Sequence, residues 1–300
     1  MLLISVIICT YNRELYLPKC LEHLKNQTAD PKSYEIVIVN NNSLDSTDAI
    51  CKEFCAKNPA LQITYLIETN PGLSAARNCG IQNSKGDLLC FIDDDGFAFP
   101  DYVTTVQQYA QNPAYSNYIS FGGKVIPCYN EGKEPKWLST YIDGVVSKVD
   151  LGEQIKDFNK KYPAGCNMIF RRTFFEQFGG FNNDLHTRGD DKFIFDKLKK
   201  AHLKTLYIPS LKVEHFIDDY RLETAYIIRL SIIIGESELI RLKNESTVSN
   251  AAKILEYLFK LMAAFIIALG FILVGKISKA KFIILIRWYV LIGFVLSREK

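Results

Sequence analysis

The chain carries no large excess of charge: across 300 residues, 36 Lys and Arg stand against 33 Asp and Glu, a formal charge of +3. So even a balance gives no field for recruiting nucleic acid or acidic polymers, and nucleic acid is not an expected partner. Neither GxxxxGK[ST] nor GxGxxG follows the first strand-like run, which argues against an ATPase and against a dinucleotide-binding oxidoreductase. The eight cysteines (Cys9, Cys20, Cys51, Cys55, Cys79, Cys90, Cys128, Cys166) form no CxxC pair and no Cys/His ligand cluster. They read as small core residues in a reducing compartment. Met1-Leu2-Leu3-Ile4-Ser5 lacks the basic region, long apolar stretch and small-residue cleavage site of a secretory signal, so the folded part is expected in the cytosol. There is no internal repeat.

What is present is an alternation. With 48% hydrophobic residues the chain can bury one large α/β domain plus an appendage. Apolar runs at Ile4–Cys9, Glu35–Val39, Ile63–Ile67 and Leu88–Ile92 are each followed by polar turns and a segment of helical period. Near-continuous apolar runs suit strands buried on both sides, so the fold class is α/β with a mostly parallel central sheet. Further strands are expected at Tyr118–Val125, Ala164–Arg172 and Thr205–Ile208, with an irregular stretch over Pro127–Tyr162.

In open α/β sheets ligands bind beyond the carboxyl ends of the strands. Here those ends are polar: Thr10-Tyr11-Asn12-Arg13, Asn40-Asn41-Asn42-Ser43 and Asp93-Asp94-Asp95-Gly96. Three consecutive carboxylates repel one another unless a cation or hydrogen-bond donors neutralise them, and oxygen ligands suit Mg²⁺ or Mn²⁺. A solvated acidic turn is the alternative. Arg77, about one turn into the helix opened by Asn70-Pro71-Gly72, either faces an anionic ligand or solvates the helix surface. Asp190 and Asp191 stand at a helix start, as capping residues or with one as a general base. His215 is a structural histidine or a metal ligand. Tyr11 and Trp137 either stack on a ring or fill a core.

In order, Ser5-Val6-Ile7-Ile8-Cys9-Thr10-Tyr11-Asn12-Arg13, Asn41-Asn42-Ser43, Gly72-Leu73-Ser74-Ala75-Ala76-Arg77-Asn78, Phe91-Ile92-Asp93-Asp94-Asp95 and Gly189-Asp190-Asp191 resemble the family 2 glycosyltransferases of GT-A fold. The resemblance covers roughly residues 1–220 and implies a metal-dependent enzyme moving a sugar from a nucleotide-diphosphate sugar to an acceptor hydroxyl. It implies that Thr10, Tyr11, Asn12, Arg13, Asn41, Arg77, Asp93 and Asp94 surround the donor. Asp95, with Asp94 as the close alternative, would hold Mn²⁺ or Mg²⁺ together with Asp93 and His215, Asp191 would be the base, and Asp190 occupies the position of the family's Glu. The family's second strand commonly ends in Asp-Asp where Asn40-Asn41 stands here; Asn41 still offers a carbonyl oxygen to a base N–H. Implied too are inversion at the anomeric carbon, a glycan or lipid-linked acceptor, and a place in surface polysaccharide or glycolipid assembly. A non-catalytic nucleotide-sugar-binding subunit and a nucleotidyltransferase are the alternatives.

The tail is apolar from Ile254 to Val274, apart from Glu256 and Lys260, and again from Phe282 to Leu296 around Arg287. The second run would reach only about 22 Å as a helix, short of a hydrocarbon thickness of about 30 Å. A short membrane-associated hairpin, or one span plus an embedded helix, fits better than two full crossings, with Lys276, Lys279 and Lys281 suited to anionic headgroups; two core helices of a soluble domain or of an oligomer interface are the alternative. The expected organisation is a catalytic domain over 1–222 (nucleotide-sugar half 1–112, acceptor half 113–222), an amphipathic connector over 223–250 and a hairpin over 251–300, at the cytoplasmic face of the cell membrane.

Overall fold

Four apolar runs build the centre of the fold in a computed structural model of the chain, which describes residues 3–159, 161–185, 188–242 and 247–297. The chain divides into two compact units. The first comprises Met1–Pro127, Ser147–His186 and Asp190–Phe216, and the second Cys128–Val146, Thr187–Gly189 and Ile217–Lys300.

The first unit opens with β1 (Ile4–Thr10), α1 (Leu17–Lys25), β2 (Tyr34–Asn40), α2 (Thr47–Lys57), β3 (Gln62–Ile67), α3 (Leu73–Asn83) and β4 (Leu88–Asp93). Then come β5 (Gly96–Ala98), α4 (Tyr102–Gln111), β6 (Tyr118–Tyr129), β7 (Lys156–Asp157) and β8 (Met168–Arg171). The unit closes with α5 (Arg172–Phe178), α6 (Asp190–Lys200) and β9 (Lys204–Ile217). The sheet order is β3-β2-β1-β4-β8-β6-β9-β5, with β7 on β9. β3, β2, β1 and β4 run parallel, in a register that aligns Thr10 with Asn40 and Cys9 with Asp93. Beyond β4 the pairs to β8, and from β8 to β6, are antiparallel.

The apolar runs are continuous because alternate residues serve two cores. Val6, Ile8, Ile36, Ile38, Cys90 and Ile92 pack on one face with Leu17, Cys20, Leu21 and Leu24 of α1. Ile7, Val37, Val39, Leu89 and Phe91 pack on the other with Ala76 of α3 and Phe174 of α5. Burial on both faces is what a parallel strand covered by helices requires. One buried polar pin interrupts it: Ser5 Oγ donates to Glu35 at 2.6 Å and accepts from Gly86 N at 2.7 Å.

Two strand expectations change in the structure. The run Ala164–Arg172 begins not as strand but as a 3₁₀ turn over Gly165–Asn167 leading into β8. The run expected to end at Ile208 continues through Pro209 to Ile217. Pro209 lacks an amide hydrogen, and it falls between the residues of β9 that pair with β7 (206–207) and those that pair with β5 (213–215), so it interrupts neither of these two ladders.

The second unit holds α7 (Thr224–Arg241), α8 (Thr247–Leu273) and α9 (Ile277–Leu296). α9 starts five residues before the apolar run at Phe282, because Gly275 (φ +72°) makes the turn and Lys279 and Lys281 are good helix formers. Its length is therefore about 30 Å rather than about 22 Å. α7 and α9 approach closely through Gly235 and Gly293: a Cβ on either glycine would strike the backbone of the opposite helix. Trp137 is buried here, stacked on Phe282 at 4.8 Å, so it fills a core. Among the described residues one helical stretch, Asn250–Leu273, is long and apolar enough to cross a membrane. Residues 243–246 of the expected connector lie outside the described residues.

Candidate active site

The tips of β1, β2 and β4 lie side by side, so the polar residues that end these strands meet. Asn12 (φ +52°) and Asn42 (φ +57°) turn the chain in the left-handed region, where Asn is tolerated better than most residues. Asn12 then locks the two loops together: its N donates to Ser43 Oγ at 3.0 Å and its Oδ1 accepts from Leu44 N at 2.8 Å. Arg13 N donates to Thr47 Oγ1 at 3.0 Å. The Tyr11 ring, 56% exposed, is left facing outward.

Asn41 is engaged within the protein. Its amide donates to Glu68 O at 2.8 Å and to Asn70 O at 2.7 Å, and its carbonyl oxygen accepts from Gly72 N at 2.8 Å. The side chain thus ties the end of β2 to the turn that opens α3.

The three carboxylates are met by two guanidiniums and an imidazole. Arg13 reaches Asp94 at 3.5 Å and Asp95 at 3.3 Å. His215 Nε2 lies 3.1 Å from Asp95 Oδ1, brought there because β5 pairs with β9 and sets Gly96 opposite His215. Gly96 has no room for a Cβ, which would sit 3.0 Å from Asp93 O and closer still to Ile92. Burial, and next the charge of Asp95, push the Asp94 carboxyl up to about 8, with Arg13 and the Thr10 hydroxyl pulling the other way.

Arg77 is 2% exposed and faces neither solvent nor an open groove. Its guanidinium donates to Asp93 at 3.0 Å, to Asp190 and to Gly165 O at 3.3 Å. Burial opposes its charge, but Asp190 and then Asp93 hold it firmly protonated. One cation thereby joins the tip of β4 to the first residue of α6. Asp191, next along the first turn, is partly exposed and accepts from Lys192 N at 2.6 Å.

The site also contains a residue that the sequence did not single out. Cys166, in the turn before β8, lies beside Asp93 and His215; each of the three offers a ligand atom within 4.8 Å of the others. Its only sequence signal is its place between Gly165 and Asn167, next to an apolar run.

The donors fit a divalent cation. Asp93, Asp94 and Asp95 stand together at one strand tip, and His215 Nδ1 is buried with no hydrogen-bond partner among the described residues. Carboxylate oxygens with an imidazole nitrogen are an ordinary set for Mn²⁺, and the oxygens alone for Mg²⁺.

The profile described as glycosyl transferase family 2 matches residues 5–179, more than half of the chain. The chain belongs to this family. Members similar to it include the Streptococcus pneumoniae glycosyltransferase GlyA, 31% identical over 217 residues, which are 68% of this chain and 29% of GlyA. A Haloferax volcanii glucosyl-dolichyl phosphate glucuronosyltransferase is 26% identical over 78% of this chain and 76% of its own length. The H. volcanii glycosyltransferase AglE is 41% identical over 62% of this chain and 58% of its own length. The chain thus spans less than a third of GlyA and about three quarters of the glucuronosyltransferase.

Solved structures show the GT-A fold of this family 2 chain. The mannosyltransferase PcManGT from Pyrobaculum calidifontis, in complex with GDP-Man and Mn²⁺, has a TM-score of 0.66 at 17% identity, covering 99% of this chain and 86% of that one. S. aureus TarS in complex with UDP has a TM-score of 0.54 at 15% identity, covering 79% and 65%.

Proposed function

We propose that this family 2 glycosyltransferase transfers a sugar, with inversion, from a nucleotide-diphosphate sugar to an acceptor hydroxyl on a glycan or lipid-linked saccharide, using Mn²⁺ or Mg²⁺. The observation that carries the reading is the meeting of Asp93, Asp94, Asp95 and His215 at the strand tips, joined through Arg77 to the helix start that bears Asp190 and Asp191.

Tyr11 supplies an exposed ring for the nucleobase, on loops held by Asn12, Ser43 and Asn41. Asp93, Asp95 and His215 would hold the divalent ion, which would supply Lewis-acid stabilisation of charge on the departing diphosphate, worth several kcal/mol. Arg13 keeps Asp94 and Asp95 from repelling each other. Asp191 takes the acceptor proton: an ordinary carboxylate is ionised near neutrality, and the start of α6 stabilises that charge. Asp190 is committed to Arg77 and acts by positioning. The GDP-Man and UDP bound to PcManGT and TarS support a nucleoside-diphosphate donor.

The second unit supports a lipid-linked acceptor at the cytoplasmic face of the cell membrane, in surface polysaccharide or glycolipid assembly. Leu255, Phe259, Met262, Ile266, Leu269 and Leu273 expose an apolar stripe along α8, and Lys276, Lys279 and Lys281 follow it. A stripe with adjoining lysines suits an anionic bilayer. The dolichyl phosphate in the name of the H. volcanii relative points the same way.

A thermal-shift screen of nucleotide-sugars with and without Mn²⁺ tests the reading, followed by transfer assays on Asp191→Asn. Donor binding is expected to survive in that variant and transfer to fall by about a hundredfold or more. Wild-type transfer by Asp191→Asn removes the assignment of the base.

A further inference from the structure

The transfer chemistry leaves Cys166 unused, although it lies against the strand-tip carboxylates. It is 1% exposed, and its Sγ, an oxygen of Asp93 and a ring nitrogen of His215 lie within 4.8 Å of one another. The turn that carries it is fixed on both sides. On one side Gly165 O accepts from Arg77, and a Cβ at Gly165 would come within 2.9 Å of that guanidinium. On the other, the buried Asn167 amide donates to Lys124 O at 3.0 Å and Leu211 O at 3.2 Å, and accepts from Tyr102 at 3.3 Å. So rigid a support is what a ligating group needs and an ordinary core filler does not.

A buried cysteine alone is most simply a small apolar residue. His215 supplies the second observation: it is 2% exposed, and its Nδ1 has no hydrogen-bond partner among the described residues. A buried imidazole nitrogen without a partner is unfavourable, and a cation held by this ring would relieve it.

We propose that Cys166 is a protein ligand of the divalent ion, together with Asp93 and His215, and that its sulfur shifts the site toward softer ions such as Co²⁺ and Zn²⁺ relative to Mg²⁺. The proposal rests on the reading of these strand tips as a divalent-ion site. Sulfur and nitrogen donors favour borderline ions over the hard, oxygen-seeking Mg²⁺. On coordination the S–H bond breaks, the proton passes to buffer and the sulfur electron pair forms the bond to the metal, with no change of oxidation state.

Titration of the whole chain in detergent with Co²⁺ tests the proposal, with Mg²⁺ and Mn²⁺ binding followed by calorimetry. The expected result is a thiolate-to-cobalt charge-transfer band that disappears in Cys166→Ser, with Co²⁺ affinity falling by about tenfold or more. Mg²⁺ affinity is expected to change by less than about twofold, since an oxygen-seeking ion gains little from sulfur. A wild-type protein without the band, or a Cys166→Ser variant that keeps it, overturns the proposal. Should Cys166→Ser prove unstable, cadmium NMR on the unaltered chain decides instead. A thiolate-shifted resonance supports the ligand, and a resonance typical of oxygen and nitrogen donors alone refutes it. Where Mn²⁺ or Mg²⁺ still binds but no sulfur contact is seen, only the cysteine ligand falls; where the wild type binds no divalent ion, the divalent-ion reading falls with it.

Discussion

The two units solve opposite problems with side chains of similar character. In the first, alternate apolar residues of β1, β2 and β4 are buried on both faces of the sheet, and the charge is concentrated at the strand tips. In the second, α8 is apolar on both sides: Tyr257, Leu261, Ala264 and Ala268 face the core, while Phe259, Met262, Ile266 and Leu269 face outward. The first arrangement leaves charge where a ligand can reach it, and the second leaves an apolar face exposed. Apolar content alone therefore says little; which face it occupies decides the role.

Removal of the tip charges is the strongest way to break this contrast. Asp93→Ala combined with Asp95→Ala is expected to lower metal-dependent transfer by about a thousandfold, the loss of several kcal/mol of charge stabilisation, while the melting temperature of the second unit stays unchanged. Transfer assays beside calorimetric melting check both halves of that statement. Arg77→Ala strips the cation shared by two carboxylates and is expected to destabilise the first unit by about 3–5 kcal/mol, because Asp190 is then left buried and unpaired. Urea unfolding followed by nucleotide-sugar binding measures it. On the other side, Phe259→Asp with Ile266→Asp should move the chain from the membrane fraction to the supernatant, each charge costing about 2.5–3.5 kcal/mol if its position lies deep in hydrocarbon. Both positions are exposed, so the helices should remain folded by circular dichroism. The smallest effect belongs to Gly293→Leu, which overpacks the contact between α7 and α9 and should destabilise the second unit by about 1–3 kcal/mol, leaving nucleotide binding intact.

The parallel part of the fold was legible because each strand is a continuous apolar run ending in polar residues, a pattern that burial on both faces imposes locally. Asp93, Asp94 and Asp95 were legible for the same reason: an unneutralised run of carboxylates after such a strand demands partners. The partners themselves were not legible. Arg77 could not be told from a surface helix residue, because its ligands Asp93 and Asp190 stand 16 and 113 residues away. His215 seemed to follow a short strand, since Pro209 interrupts the apolar pattern where β9 changes neighbours. Cys166 looked like one more core thiol, as nothing within its own turn reports that Asp93 and His215 lie across from it. Antiparallel pairing over long separations brought His215 and the turn of Cys166 to the strand tips, and periodicity carries no record of it. Counting α9 from Phe282 makes it too short, because the helix begins at Ile277 and its first turns carry Ser278, Lys279 and Lys281, which hide the apolar pattern.

The guanidinium of Arg77 has a consequence for anyone redesigning this enzyme. Because it grips one carboxylate from the end of a strand and another from the beginning of a helix more than 90 positions later, neither can be altered as a separate module. Altering the acidic tip would also remove a partner of the arginine that holds the start of the segment bearing Asp191, so the three side chains have to be redesigned together.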